Sequence, residues 1–283
     1  MLFTSVIGTE INGSRRWLDL GVFKLQSSEV LKLTLPIFLV SLIDYFKNRS
    51  QTLTELVFLS ISLIPFFIIL KQPDLGSGLI ILFSGLIIIF LNGLSLKKIL
   101  VGIFGFLILL PYAWLNILKD YQKGRILNLI DPFSNPLDGG YHAIQSSIAI
   151  GSGGLFGKSS EFSNQHDLLF LPETHTDFIF AVLSENYGFL GNIIFFLIFF
   201  LFIYKLVVIS INLHSHSHRL LAMTYVMIFI LCFLINIAMV SGLFPIVGIP
   251  LPLISYGGSS LFIYLIMFAL INSLNYNKTL IAD

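Results

Sequence analysis

Apolar side chains in this chain gather into seven long blocks separated by short polar breaks, at about 28–46, 53–70, 74–92, 97–116, 188–210, 219–241 and 258–276. A helix needs about 20 apolar residues to cross a hydrocarbon core, so each block predicts a transmembrane helix. The first is the weakest, because Glu29, Lys32 and Pro36 fall inside it. The connections are short except for 119–187 and 242–257. Loops this long inside a compact protein are functional or disordered, and the first is too apolar and glycine-patterned for disorder. Within it Asp131-Pro132 and Asn135-Pro136 mark turns. The stretch YHAIQSSIAI (141–150) reads as a short amphipathic helix, and the glycine run 151–157 as a flexible hinge. The expected fold class is therefore all-α and polytopic, one membrane-embedded domain over 1–283.

Composition agrees with the pattern. Of the 283 residues 56% are hydrophobic and 11% charged, against about 25% charged in a soluble protein, and the mean hydropathy is +0.91. Cys232 is the single cysteine, so no intrachain disulfide can form. Met1–Gly8 is apolar but lacks the basic start and cleavage site of a signal peptide. It reads as the remnant of a lost or trimmed helix. Lys and Arg near the ends of short loops mark the cytoplasmic side. One side collects Lys47, Arg49, Lys97, Lys98, Lys205, Arg219 and Lys278, and the other, leaving aside the long loop and the N-terminal segment, only Lys71. Loops 119–187 and 242–257 and the segment 9–27 then lie outside, which implies an odd number of helices upstream if the chain began inside. No arginine ladder suggests a voltage sensor, no inverted repeat suggests a transporter, and no nucleic-acid partner is expected.

Polar chemistry concentrates in few places. LLFLPETHTDFIFAVLSENYG (168–188) sets Glu173, His175 and Asp177 beside an apolar helix. Thr176 or Asp177 fits a helix cap, and Asp177 equally fits a general base, which contributes about 10²–10⁴-fold. Glu29 and Lys32, spaced i, i+3, share a helix face. They read either as an interfacial pair with Lys32 snorkelling outward or as charges in a functional cavity. Asp74 opens a span as a plain N-terminal residue. GSGGLFGKS is not a phosphate loop, because Ser152 stands where the first glycine is required. HSHSH (214–218) alternates histidines but has no carboxylate or thiolate beside it, so it reads as a solvated loop. The uncharged GLFPIVGIPLPLISYGG (242–258), with Pro245, Pro250 and Pro252, reads as a rigid cover packed on protein.

Taken in order, NGSRRWLDLG, LQSSEVLK, KQPDLGSG, DPFSNPLDGGYHAIQSSIAIGSGGLFGKS, LPETHTDFIFAVLSENYG and VSGLFPIVGIPLPLISYGGSS resemble the SEDS family (shape, elongation, division, sporulation) of bacterial membrane glycosyltransferases. The likeness covers the chain from about Asn12 onward, and its GSGGLFGK and RRWLDLG segments are similar to the elongation branch. It implies about ten spans, of which this chain carries the last seven and lacks about three at the N-terminus. It implies polymerisation of lipid II into glycan strands on the outer face of the cytoplasmic membrane, with release of undecaprenyl diphosphate. Asp177 matches the family's essential acid, expected to deprotonate the acceptor's 4-hydroxyl. Glu29 and Lys32 match paired charges of a central cavity. Trp17, Asp74, Gln122, Arg125, Gln145, Glu173 and His175 are further substrate-binding candidates. A divalent cation, Mg or Mn, suits a diphosphate leaving group, although no dedicated metal cage is visible. The implied partner is a class B penicillin-binding protein transpeptidase. Two other readings stand beside this one: a lipid-linked precursor flippase, and a truncated scaffold that binds the transpeptidase without catalysis.

Overall fold

The computed structural model describes residues 4, 8–11, 14–19, 21, 24–116, 118–134, 140–158 and 175–282. Every expected span is a helix: α1 (Ser27–Phe46), α2 (Gln51–Lys71), α3 (Leu75–Leu91), α4 (Leu96–Asn116), α7 (Ile179–Ile211), α8 (His216–Val240) and α9 (Gly258–Ala282). Between α4 and α7 lie α5 (Asp120–Ile130), a single 3-10 turn at Pro132–Ser134, and α6 (Tyr141–Ser152), the short helices expected of the long loop. Among the described residues α2, α4, α7, α8 and the 258–276 part of α9 are long and apolar enough to cross a membrane. Helix α3 has 17 residues, and α1 carries Glu29, Lys32 and Asp44.

The pattern of apolar blocks did not announce what precedes α1. There β1 (Thr9–Ile11), β2 (Ser14–Asp19) and β3 (Lys24–Gln26) form an antiparallel sheet, in that order. Trp17 pairs with Thr9 on one side and Gln26 on the other. Between β2 and β3 the Gly21 N–H donates to Asp19 Oδ1 at 2.9 Å, a side-chain-closed turn of the kind Asp favours.

Two compact units make up the chain. The first comprises residues 1–92, 196–234 and 247–283. Here α3 sits so close to α2 that a Cβ on Gly85 would lie 1.9 Å from Ser62 Oγ, the small-residue contact on which helix packing in lipid depends. Phe199, Phe202, Phe229, Tyr264 and Phe268 interlock as stacked and edge-on rings. Ser259, at the start of α9, accepts from Gln26 N at 3.1 Å and donates to the Lys24 carbonyl, which ties β3 to that helix. Of the expected cover, Val247, Ile249 and Leu251 are buried, and Gly76 lies against the Val247 carbonyl.

The second unit comprises residues 93–195 and 235–246. It corrects one expectation. The block at 188–210 begins where expected, because Gly188, at φ 62° and ψ −162°, is not helical and breaks α7, while residues 179–187 add a helical stretch ahead of it. The glycine run is not a flexible hinge. Lys158 N–H donates to the Glu185 carbonyl, Phe189 N–H to Gly154 and Leu190 N–H to Leu155, at 2.9–3.1 Å. Lys158 Nζ meets buried Glu185 Oε1 at 3.0 Å. The glycines are there because backbone meets backbone: a Cβ on Gly157 would lie 2.1 Å from the Asn186 carbonyl, at a φ of +83°. Gly157→Ala is therefore expected to destabilise the protein by about 1–3 kcal/mol, read as a lowered thermal unfolding midpoint. Gly102→Ala in α4, where the added methyl meets nothing within 4 Å, should leave the midpoint unchanged or raise it.

Candidate functional site

Asp177 sits in a turn over residues 175–178 that leads into α7. Its side chain is half-buried, and its backbone carbonyl accepts from Asn236 Nδ2 of α8 at 2.9 Å. The next residue, Phe178, is buried, with its ring stacked on His142 of α6 at 5.7 Å between centroids. Two residues before Asp177, His175 is exposed in the same turn, while Glu173 lies outside the described residues. The unit thus holds a carboxylate at the edge of an apolar helix, on a backbone fixed from two sides.

The remaining candidates of this unit are placed by α5 and α6. Gln122 Oε1 accepts from Lys119 N at 3.0 Å and so closes the first turn of α5. Arg125 Nη1 donates to the Ile246 carbonyl at 2.9 Å, fastening α5 to the segment that follows α8. Gln145 is half-buried on α6, one turn beyond His142.

In the first unit, Glu29 and Lys32 are each about 3% exposed, with Lys32 Nζ 2.5 Å from Glu29 Oε1. The ammonium also lies 5.6 Å from the centre of the Tyr264 ring on α9, a cation–π distance. The outward-snorkelling reading is corrected: α9 closes over the pair, so Lys32 has no path along α1 to an interface. Among the described residues the second carboxylate oxygen of Glu29 and the hydroxyl of Ser28 are buried with no hydrogen-bond partner. Buried polar atoms of this kind are uncommon and ask for a reason.

Asp74 does more than open a helix. Its Oδ1 caps α3 by accepting from Ser77 N at 3.0 Å, and its Oδ2 meets Arg16 Nη1 at 3.2 Å and Gln26 Nε2 at 3.4 Å. Arg16 Nη2 also donates to the Pro73 carbonyl at 3.1 Å. Trp17 stands beside this network on β2, with its own carbonyl accepting from Thr9 Oγ1 at 3.3 Å.

Arg16, His142 and Asn236 were not among the sequence candidates. A lone Asn inside the apolar run of α8 was a readable signal, since polar groups within spans mark functional positions. The other two were not readable, because their partners lie 58 and 36 positions away. The histidines of the 214–218 loop are exposed, with His216 Nε2 3.1 Å from Asn92 Oδ1. Among the described residues no three His, Cys, Asp or Glu side chains group to hold a metal ion, so they offer no protein-built cage for a divalent cation.

The family model for FtsW, RodA and SpoVE, described as "Cell cycle protein", matches residues 1–280. The chain is 38% identical to the peptidoglycan glycosyltransferase MrdB of Escherichia coli K12 over 286 aligned residues, covering 100% of this chain and 76% of that one. Among solved structures, a chain of a peptidoglycan synthase complex that coordinates polymerization and crosslinking superposes with a TM-score of 0.81 at 29% identity. The coverage is 98% of this chain and 77% of that chain. The rod shape determining protein RodA of Thermus thermophilus matches with a TM-score of 0.67 at 26% identity, covering 98% and 74%. A polytopic helical protein with this match along its whole length is a membrane enzyme of cell-wall growth: the chain belongs to the FtsW/RodA/SpoVE, or SEDS, family, and is an integral-membrane peptidoglycan glycosyltransferase acting in elongation.

Proposed function

We propose that the substrate is lipid II and that Asp177 is the general base of the transfer. The observation that carries this reading is the half-buried carboxylate of Asp177, on a turn whose backbone is hydrogen-bonded to α8 and packed against α6. The reaction balances simply. Asp177 takes the proton of the acceptor sugar's 4-hydroxyl while that oxygen bonds to the donor's anomeric carbon. The bond from that carbon to the diphosphate oxygen breaks, and its electron pair leaves on undecaprenyl diphosphate. A carboxylate can do this because it need only accept a proton as the hydroxyl becomes acidic in the transition state. Glu29 and Lys32 are proposed to serve the substrate as a buried charged pair. Trp17, Asp74, Gln122, Arg125, Gln145, Glu173 and His175 are proposed substrate contacts or supports. The test of the reaction is conversion of labelled lipid II into glycan strands by the purified protein. Movement of lipid II between leaflets without polymer would favour a flippase instead.

A divalent cation is proposed to travel with the diphosphate, neutralising charge that would otherwise build on the leaving group. Chelation should then abolish polymerisation, and added Mg or Mn restore it. A class B penicillin-binding protein is the proposed partner, supported by the synthase complex to which the chain is similar.

The active face is proposed to be extracytoplasmic, from the distribution of Lys and Arg. The protein offers its own test, because Cys232 is its single cysteine and is fully buried. His175 and His214 are both exposed. In intact cells a membrane-impermeant maleimide should label His175→Cys and spare His214→Cys until the membrane is opened. The reverse labelling would place Asp177 inside.

A further inference from the structure

We propose that Asn236 is the positioning residue that sets the Asp177 carboxylate, as one member of a closed clamp; this rests on the reading of Asp177 as base. The need for it starts at the first turn of α7. In a regular helix the Ala181 N–H would bond back to the Asp177 carbonyl. Here Ala181 N–H donates to Phe178 at 3.0 Å instead, so the Asp177 carbonyl takes its bond from elsewhere. Asn236 supplies it, at 2.9 Å, from a side chain with no exposed surface. An amide in the apolar wall of a span is costly to bury unless it is hydrogen-bonded, and its Nδ2 donor meets that need at the Asp177 carbonyl.

The clamp continues one turn along α8. Val240 is i+4 from Asn236, on the same face, and its carbonyl is one of the last four of the helix, which have no partner within it. Ser146 Oγ of α6 donates to that carbonyl at 3.0 Å and is itself fully buried. His142 is i−4 from Ser146 on the same face of α6, and its ring stacks on Phe178 at an interplanar angle of 17°. The ring of contacts therefore closes: Asp177 to Asn236, along α8 to Val240, across to Ser146, along α6 to His142, and back to Phe178 beside Asp177. Two helices thus hold both sides of the peptide bond between residues 177 and 178. Neither Asn236 nor Ser146 reaches the reacting atoms. Their effect is on where the carboxylate stands.

The test compares the whole chain with Asn236→Ala, Ser146→Ala and Asp177→Asn, measuring lipid II polymerisation, stoichiometry of labelled lipid II binding, and thermal midpoint. Misplacing a catalytic group by about 1 Å costs up to roughly 100-fold, so Asn236→Ala is expected to lower kcat by about 10- to 100-fold. Binding stoichiometry and KM should stay within about twofold, because the active fraction and the substrate contacts are untouched. Ser146→Ala removes a neutral hydroxyl that faces both the Val240 and the Ala143 carbonyls, at 3.0 and 3.1 Å, and is the milder variant. It decides the matter if Asn236→Ala fails to fold: it should lower kcat several-fold with KM unchanged. Wild-type kcat in Asn236→Ala, or in Ser146→Ala where only that variant folds, overturns the clamp if Asp177→Asn is inactive. A fall in binding stoichiometry equal to the fall in kcat also overturns it, by reducing Asn236 to a fold-holding role. Activity in Asp177→Asn overturns instead the reading of the base on which the clamp rests.

Discussion

Lys32→Ala should cost the fold about 3–5 kcal/mol, the usual effect of removing one partner from a buried ion pair. The reason lies in what is left behind. Glu29 is about 3% exposed, Lys32 Nζ stands 2.5 Å from one of its oxygens, and the other oxygen is buried without a partner among the described residues. Without Lys32 the carboxylate keeps its desolvation and loses its compensation. Replacing both residues together tells a different story. Buried pairs exchanged for apolar side chains of similar volume are often neutral or stabilising, so Glu29→Leu with Lys32→Met should recover most of the lost stability. A chain that is stable with both changes yet polymerises nothing would assign the pair to the substrate. A chain that is stable and fully active would make it a structural relic. Thermal unfolding and lipid II turnover on the same three preparations separate the two.

Asp177→Asn removes the proposed base while keeping the shape of the side chain. The expected loss in kcat is about 10²–10⁴-fold, or about 3–5 kcal/mol of barrier, with lipid II still bound. Asp177→Glu keeps the charge but moves it by one methylene. It is expected to lose up to roughly 100-fold, because the backbone of the turn, held by Asn236 and by the stack of His142 on Phe178, has little freedom to compensate.

How much of this was legible depends on distance along the chain. The spans were, because 20-residue apolar blocks carry their own meaning in a bilayer. The i, i+3 pairing of Glu29 and Lys32 was also readable, but its burial was not. That burial depends on Tyr264, more than 230 positions away in sequence. The sheet at 9–26 was missed because its strands are three to six residues long and show little alternation. The glycine run misled for a physical reason: glycine serves both flexible chain and closest backbone approach, and only the fold distinguishes them. Gly157, pressed against Asn186, belongs to the second kind. Asp74 likewise looked like a bare helix start until Arg16, from a strand the pattern did not reveal, met its carboxylate at 3.2 Å.

The central claim is that this chain polymerises lipid II by way of Asp177. It is tested most directly by incubating purified protein with labelled lipid II, free of any other glycosyltransferase, and resolving the products on a gel. The wild-type chain is predicted to give a ladder of glycan strands, and Asp177→Asn, at equal concentration and with equal lipid II binding, to leave the label as monomer. Strands of the same length and yield from both preparations would contradict the account.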